Sequence, residues 1–352
     1  MSAPTLPIAS GIGLSRTPLR LPLVWIVALG LLATVLVLGV GLGSSGLTPD
    51  RALAVLLGGG ERTEQIIVLK LRLPRVLLAM EAGAALALAG ALLQTATRNP
   101  LASPSILGIV NGAALGVVAF LWIFSDEANA LTVSIHWQPL AATLGALAFA
   151  GLVTLLAWRD GLGPTRMVVY GIALGALASA LVTVLMIVGP IYRANQALTW
   201  LAGSVQAAHW NDVTIVGVLL AMLVPIIALM PRAMDQLVLD DQSAAASGLA
   251  VTPTFLALMG LSVLLTATAV SFVGGVAFVG LLAPHAARLI VGRRALPMLV
   301  LSAIIGAMIV AGADLFGRLA FSPLEVPSGA ITAILGAPYF IWLLIARGRT
   351  HA

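Results

Sequence analysis

Residues 74–94 read PRVLLAMEAGAALALAGALLQ. Only Arg75 and Glu81 carry charge in this run, and its length matches the roughly 20 apolar residues that a helix needs to cross a bilayer. Gly83, Ala87 and Gly90 recur at helical spacing on it. A small-xxx-small face lets two helix backbones approach in lipid, where van der Waals packing drives association. The stretch therefore predicts a packed transmembrane helix, and the same pattern recurs on both sides. Apolar runs at 22–43, 105–124, 138–158, 166–188, 212–230, 254–271, 274–291, 296–316 and 328–346 bring the expected total to ten. Gly112 with Gly116, and Gly171 with Gly175, repeat the small-residue spacing.

Composition agrees. Of 352 residues, 60% are hydrophobic and 9% charged, against about 25% charged in a soluble domain. The mean hydropathy is +1.09. An all-α integral membrane protein is the fold class expected, with no linker to a soluble domain, so that 1–352 reads as one transmembrane unit. Residues 1–21 read as a cytoplasmic tail leading into an uncleaved first helix. The pI near 10.7 does not indicate nucleic-acid binding. Net charge is only +5, and the basic residues stand singly between apolar runs, with no basic stripe. Cysteine is absent, which excludes disulfides and thiolate metal sites.

An even number of spans puts both termini on one side. Placing them in the cytoplasm leaves 11 basic residues inside and 7 outside, the direction of the positive-inside rule. Five of those seven lie in segment 51–75. There Thr48-Pro49-Asp50 reads as the opening of a short interfacial helix reaching Leu57. The other long polar segment, 231–253, falls inside.

No motif for covalent chemistry is present. The four histidines, His136, His209, His285 and His351, fall on different segments without ligand-spaced partners. A P-loop needs Gly-Lys-Ser/Thr, and the single lysine, Lys70, sits in Leu-Lys-Leu. If the chain works in ATP-driven transport, ATP and Mg are held by another subunit.

Ionisable groups inside spans demand a reason. Glu81 reads either as a carboxylate facing another helix, hydrogen-bonded or protonated there, or as a pathway-facing group or proton relay. Asp314 reads as a helix-end carboxylate paired with Arg318 at i, i+4. Asn99-Pro100-Leu101 breaks the chain either as an ordinary turn or as a gating segment. The inside stretch from Met234 to Leu249 has an acidic start (Asp235), then Leu237 and Leu239. A small-residue helix running to a Gly248 stop follows. A short amphipathic helix of this kind suits either a groove on a partner or the bilayer surface, and its acidic residues weigh against an anionic leaflet.

Several ordered blocks then resemble the FecCD-type permeases, membrane subunits of ABC importers for ferric siderophores, haem and vitamin B12. They are Leu71-Arg72-Leu73-Pro74-Arg75, Arg98-Asn99-Pro100-Leu101-Ala102-Ser103-Pro104, Tyr170-Gly171-Ile172-Ala173-Leu174-Gly175, Trp200-Leu201-Ala202-Gly203-Ser204, Phe278-Val279-Gly280-Leu281-Leu282-Ala283-Pro284-His285 and Gly336-Ala337-Pro338. The resemblance implies a multi-pass protein of the bacterial inner membrane and a second permease subunit, identical or paralogous. It also implies two ABC ATPases inside and a periplasmic binding protein outside. Arg72, Arg75 and Arg318 match arginines that dock the binding protein. The stretch with Asp235, Leu237, Leu239, Asp240, Asp241, Ala245 and Gly248 matches the loop that couples to the ATPase. Asn99 and Leu101, with Gly163, Pro164 and Thr165, match positions that narrow the inner end of the pathway. Two residues depart from the family pattern: Asp240 stands where Gly is usual, and Glu81 where an apolar residue is usual. The block 99–107 and Ala157-Trp158-Arg159-Asp160-Gly161 lean toward ferric siderophores over haem or vitamin B12. An ion-coupled transporter using Glu81, a membrane enzyme and a scaffold are the rival classes.

Overall fold

The computed structural model describes residues 20–43, 47–126, 130–159, 161, 163–189 and 191–348. The tail read over 1–21 lies outside the described residues as far as residue 19.

The chain is helical throughout this range. Its helices are α1 (Arg20–Gly41), α2 (Pro49–Leu56), α3 (Arg62–Gln65), α4 (Leu73–Ala96), α5 (Ile109–Ile123), α6 (Gln138–Arg159), α7 (Pro164–Val188) and α8 (Ile191–Leu201). They continue as α9 (Trp210–Ala228), α10 (Pro231–Leu237), α11 (Asp241–Ala246), α12 (Val251–Val273), α13 (Val279–Val291), α14 (Ala295–Leu319) and α15 (Ser328–Gly348). Seven helical segments are long and apolar enough to cross a membrane, and three shorter apolar ones lie in α5, α13 and α15. Together they fall on the ten runs read from the sequence.

The second run differs in extent. A capping box between Glu61 and Glu64 starts helix at Arg62, and a π-helical stretch, Ile66–Arg72, carries it into α4 without a break. Segment 62–73 is thus part of a 35-residue span, Arg62–Ala96, rather than a polar loop. The interfacial helix expected after Thr48 is present as α2, with Thr48 at its N-cap.

α4 runs through the centre of the bundle, packed against α12, α13 and α14. Its small residues explain this position. A Cβ on Gly83 would land on the Gly306 carbonyl of α14, and one on Gly90 would land on the Gly280 carbonyl of α13. Backbones this close maximise dispersion contact where lipid offers no hydrophobic drive. Ser262 on α12 adds an interhelical hydrogen bond, its hydroxyl donating to the Ala89 carbonyl at 2.8 Å. A second layer pairs α5 with α6 through Gly112, Gly116 and Gly145, and α5 with α7.

The 254–291 pair separates at Gly274–Phe278, where Gly274 (φ 70°) and Phe278 (φ 65°) turn the chain. Irregular backbone at membrane depth must find partners within the protein. Here Ser204 N donates to the Val273 carbonyl, Gly275 N to Trp200 and Gly329 N to Gly203. Three connections are thereby knitted together at one end of the bundle.

Candidate functional site

Three groups of residues singled out by sequence lie along α4. At its N-terminal end Arg72, Arg75 and Arg318 come together, but not as a freely projecting rim. The Arg72 side chain is buried, and its Nη1 donates to the Val40 and Gly41 carbonyls at 2.9 and 2.7 Å. Arg318 Nη2 donates to the Gly39 carbonyl at 2.8 Å. Both cations thus sit on the last carbonyls of α1, the negative end of that helix's dipole. Arg75 makes a bidentate pair with Asp314, its Nη2 2.7 Å from Oδ1 and its Nε 3.1 Å from Oδ2, and its Nη1 reaches Glu325 at 2.9 Å. Asp314 also lies 3.3 Å from Arg318 Nε, the i, i+4 pair read from the sequence. The Arg75 side chain is 12% exposed and that of Arg318 8%. The cluster joins α1, α4, α14 and the 320–327 connection. At the same end Arg51, Arg62 and Lys70 are exposed.

Glu81, six residues further along α4, faces α9. Its Oε1 lies 3.2 Å from the point where a Cβ of Gly217 would sit, so glycine there makes room for the carboxylate. Oε2 is buried and has no hydrogen-bond partner among the described residues. The carboxylate packs against a second helix, and its Oε2 lacks a hydrogen bond there.

Beyond the other end of α4 lies the loop expected to couple. It is two helices, not one. α10 ends at Leu237, the chain breaks at Val238–Asp240, and α11 starts at Asp241. The break follows from Asp240, whose Oδ1 accepts from Ser243 N at 2.9 Å and Gln242 N at 3.1 Å. Those hydrogen bonds, the one from the Ser243 backbone first, hold the Asp240 carboxyl below its usual range. An N-cap carboxylate terminates whatever precedes it and starts the next helix. This accounts for Asp where glycine is usual. Gly248 (φ 87°) closes the segment as expected. Met234, Leu237 and Ala244 are buried anchors, whereas Leu239, Asp240, Asp241 and Ala245 are exposed. Asp235 is exposed, and its Oδ1 accepts from Ala295 N at the start of α14 at 2.8 Å.

Arg98 joins this loop to the end of α4, a role the sequence reading missed. Its Nε donates to the Leu237 carbonyl at 2.7 Å and its Nη2 lies 2.7 Å from Asp241 Oδ1. It holds this reach from a left-handed backbone (φ 49°), rare for a residue with a side chain. Next to it Asn99 Oδ1 accepts from Leu101 N at 2.9 Å, an Asx-type turn. The 3-10 turn Pro104–Leu107 that follows packs on α7. Gly163 caps α7 in an extended conformation, with Pro164 and Thr165 in its first turn. The sequence places Arg98 in a motif block without saying what it touches; the meeting of α4 with 237–241 shows that.

The family sequence profile described as "FecCD transport family" matches residues 31–346. The chain belongs to the FecCD transport family. Among relatives of this FecCD chain, the "Probable siderophore transport system permease protein YfhA" of Bacillus subtilis is 44% identical over 92% of this chain and 94% of its own length. The "Achromobactin transport system permease protein CbrC" of Dickeya dadantii is 39% identical over 90% of both chains. A solved chain described as a metal-chelate type ABC transporter, in an inward-facing conformation, aligns with a TM-score of 0.81 and 27% identity. The match covers 92% of this FecCD chain and 99% of the solved one. The chain is a multi-span permease subunit of the ABC importer class.

Proposed function

We propose that this permease carries a ferric siderophore across the bacterial inner membrane, with both termini in the cytoplasm, the Arg72–Arg75–Arg318 end outside and the 231–253 loop inside. Relatives named for siderophore, achromobactin and ferric-citrate transport support the substrate class over haem and vitamin B12. The partners are a second permease subunit, two ATPases that hold ATP and Mg, and a periplasmic binding protein that delivers the iron complex. This chain contributes no covalent chemistry.

The observation that carries the mechanism is the Arg98 link. The exposed surface around Leu239, Asp240, Asp241 and Ala245 offers a partner two short helices standing on buried anchors. A push on α11 is passed through Asp241 and the Leu237 carbonyl to Arg98, and from there to Asn99 and Leu101 one turn away. A chain of paired groups between two rigid elements is one route by which energetic coupling travels. Gly163, Pro164 and Thr165 begin α7, against which the 104–107 turn moves.

Docking outside involves the arginine cluster in a second way. Arg75 is already paired with Asp314 and Glu325, and Arg318 is buried beside Asp314. Carboxylates of a binding protein therefore meet the exposed Arg62 and Lys70 first, and compete with Glu64 for Arg51 and with Glu325 for Arg75. Electrostatic complementarity at such a rim sets the association rate and the register more than raw affinity.

The test is uptake of radioactive ferric siderophore by the permease reconstituted with its ATPase and binding protein. Arg98→Gln is expected to leave the subunits assembled while abolishing uptake. Normal uptake by Arg98→Gln sinks the coupling route, and failure of the chain to co-purify with any ATPase sinks the importer reading itself.

A further inference from the structure

A cavity of about 500 Å³ opens between α5, α6, α7 and α12. Leu147 to Trp158 line it from α6, and Leu256 to Leu264 from α12. Leu107 and Ile109 close its floor, and Met167 in the first turn of α7 forms one end. The only hydroxyl in the lining is that of Thr154, which is spent on the Ala150 carbonyl at 2.8 Å. A space this apolar offers water too few partners and stays dry or takes an apolar guest. A hydrated or chelated iron complex has nothing to bind there.

Two glycines keep it open. Gly151 on α6 and Gly260 on α12 both line the cavity, and a Cβ on either would meet nothing within 4 Å. Gly83 and Gly90 mark contact between backbones, whereas Gly151 and Gly260, like Gly30 on α1 and Gly312 on α14, face open space. Glycine inside a helix costs about 1 kcal/mol relative to alanine. At 151 and 260 that cost is set against no close helix approach, only against room.

The mouth and the length indicate what fills the room. Leu155, Trp158 and Leu264 line the cavity and are exposed on apolar spans, so it opens sideways to the bilayer. From Leu147 to Trp158 it follows α6 for about 16 Å at 1.5 Å per residue. That is close to one leaflet's share, about 15 Å, of the hydrocarbon thickness. At the polar end Arg159 follows Trp158 and Arg166 precedes Met167, and both are exposed. We infer that this cavity seats one acyl chain of an anionic phospholipid, with Arg159 and Arg166 facing its phosphate. The leaflet is the inner one on the topology proposed above, and only that detail rests on it. Leu107 and Met167 place the chain directly behind the 99–107 turn and the start of α7.

The test needs no transport, so its failure is separate from failure of the importer reading. The full chain is purified into lipid nanodiscs that carry phosphatidylglycerol with a photoactivatable group midway along one acyl chain. Labelled peptides are then mapped by mass spectrometry. Labelling at 147–158 and 256–264 is expected to exceed that on the exposed α1 face around Leu23 and Ile26. Gly151→Leu with Gly260→Leu should cut it about tenfold, with α1 unchanged. Gly260→Met alone serves if the double variant folds poorly. Arg159→Gln with Arg166→Gln should remove the preference for phosphatidylglycerol over phosphatidylcholine. Labelling equal to that on α1, or labelling that survives the filled cavity, would each overturn the proposal.

Discussion

At its N-terminal end α4 is fastened by a closed ion-pair cluster, whereas at its other end a single exposed arginine reaches across to a loop. Arg75, Asp314 and Arg318 are almost wholly buried, and Arg72 and Arg318 hold the last carbonyls of α1. Arg98 and Asp241 are 37% and 70% exposed. Buried pairs are costly to break, because the surviving charge is left without a partner or water. Exposed pairs contribute little to stability. The difference separates two jobs. The first end is built to hold three helices still. The second, on the coupling route proposed above, keeps its contacts cheap enough to be remade.

The largest effect should follow Asp314→Asn, which strands Arg75 and Arg318 together. A loss of about 3–5 kcal/mol is expected, read as a drop in the unfolding temperature of purified permease. Unchanged unfolding would mean that the cluster is a docking rim and not a fastening. Arg72→Met removes a cation from the α1 C-terminus and should cost about 1 kcal/mol. Faster proteolysis of the connection between α1 and α2 would report it, and an unaltered cleavage rate would remove Arg72 from the fastening.

The other end should behave in the opposite sense. Arg98→Gln is expected to cost at most about 1 kcal/mol, while stopping uptake. A variant that loses stability but keeps uptake would reverse the comparison. The smallest effect concerns Asp240, whose folded-state pKa is lowered by its hydrogen bonds to the Ser243 and Gln242 backbone. Its contribution is complete at neutral pH, above the unfolded value, and is lost as pH falls through the lowered value. A spin label at Ala245 should therefore gain mobility only on acidification below the ordinary carboxylate range. In Asp240→Gly that mobility should be raised already at neutral pH. A label indifferent to both changes would show that Asp240 does not start α11.

Much of this was legible in the residues. Ten apolar runs fall on ten apolar helices, seven of them of membrane-crossing length, because burying a helix in lipid requires length and apolarity, and both are local properties. The Asp314–Arg318 pair was legible for the same reason, being four residues apart on one helix. Leu237 and Leu239 were not separable in sequence. One is a buried anchor and the other is exposed, because Asp240 breaks the helix between its two halves. Arg62 to Leu71 read as polar because its charges are spaced through it, and the capping box with π-helical continuation made it helix all the same.

By itself the sequence determined the solvent, the number of crossings and the places where helices pack closely, since each depends on residue type and spacing along one segment. The family too was written in it, through ordered motif blocks. The tertiary structure decided what each charge does. Whether the Arg72 side chain reaches the end of α1, what Glu81 packs against, and whether Arg98 touches anything at all depend on contacts between segments up to 279 residues apart. A glycine at 83 and a glycine at 151 look the same in a string of letters. Only packing shows that one touches a neighbouring backbone and the other borders an empty space.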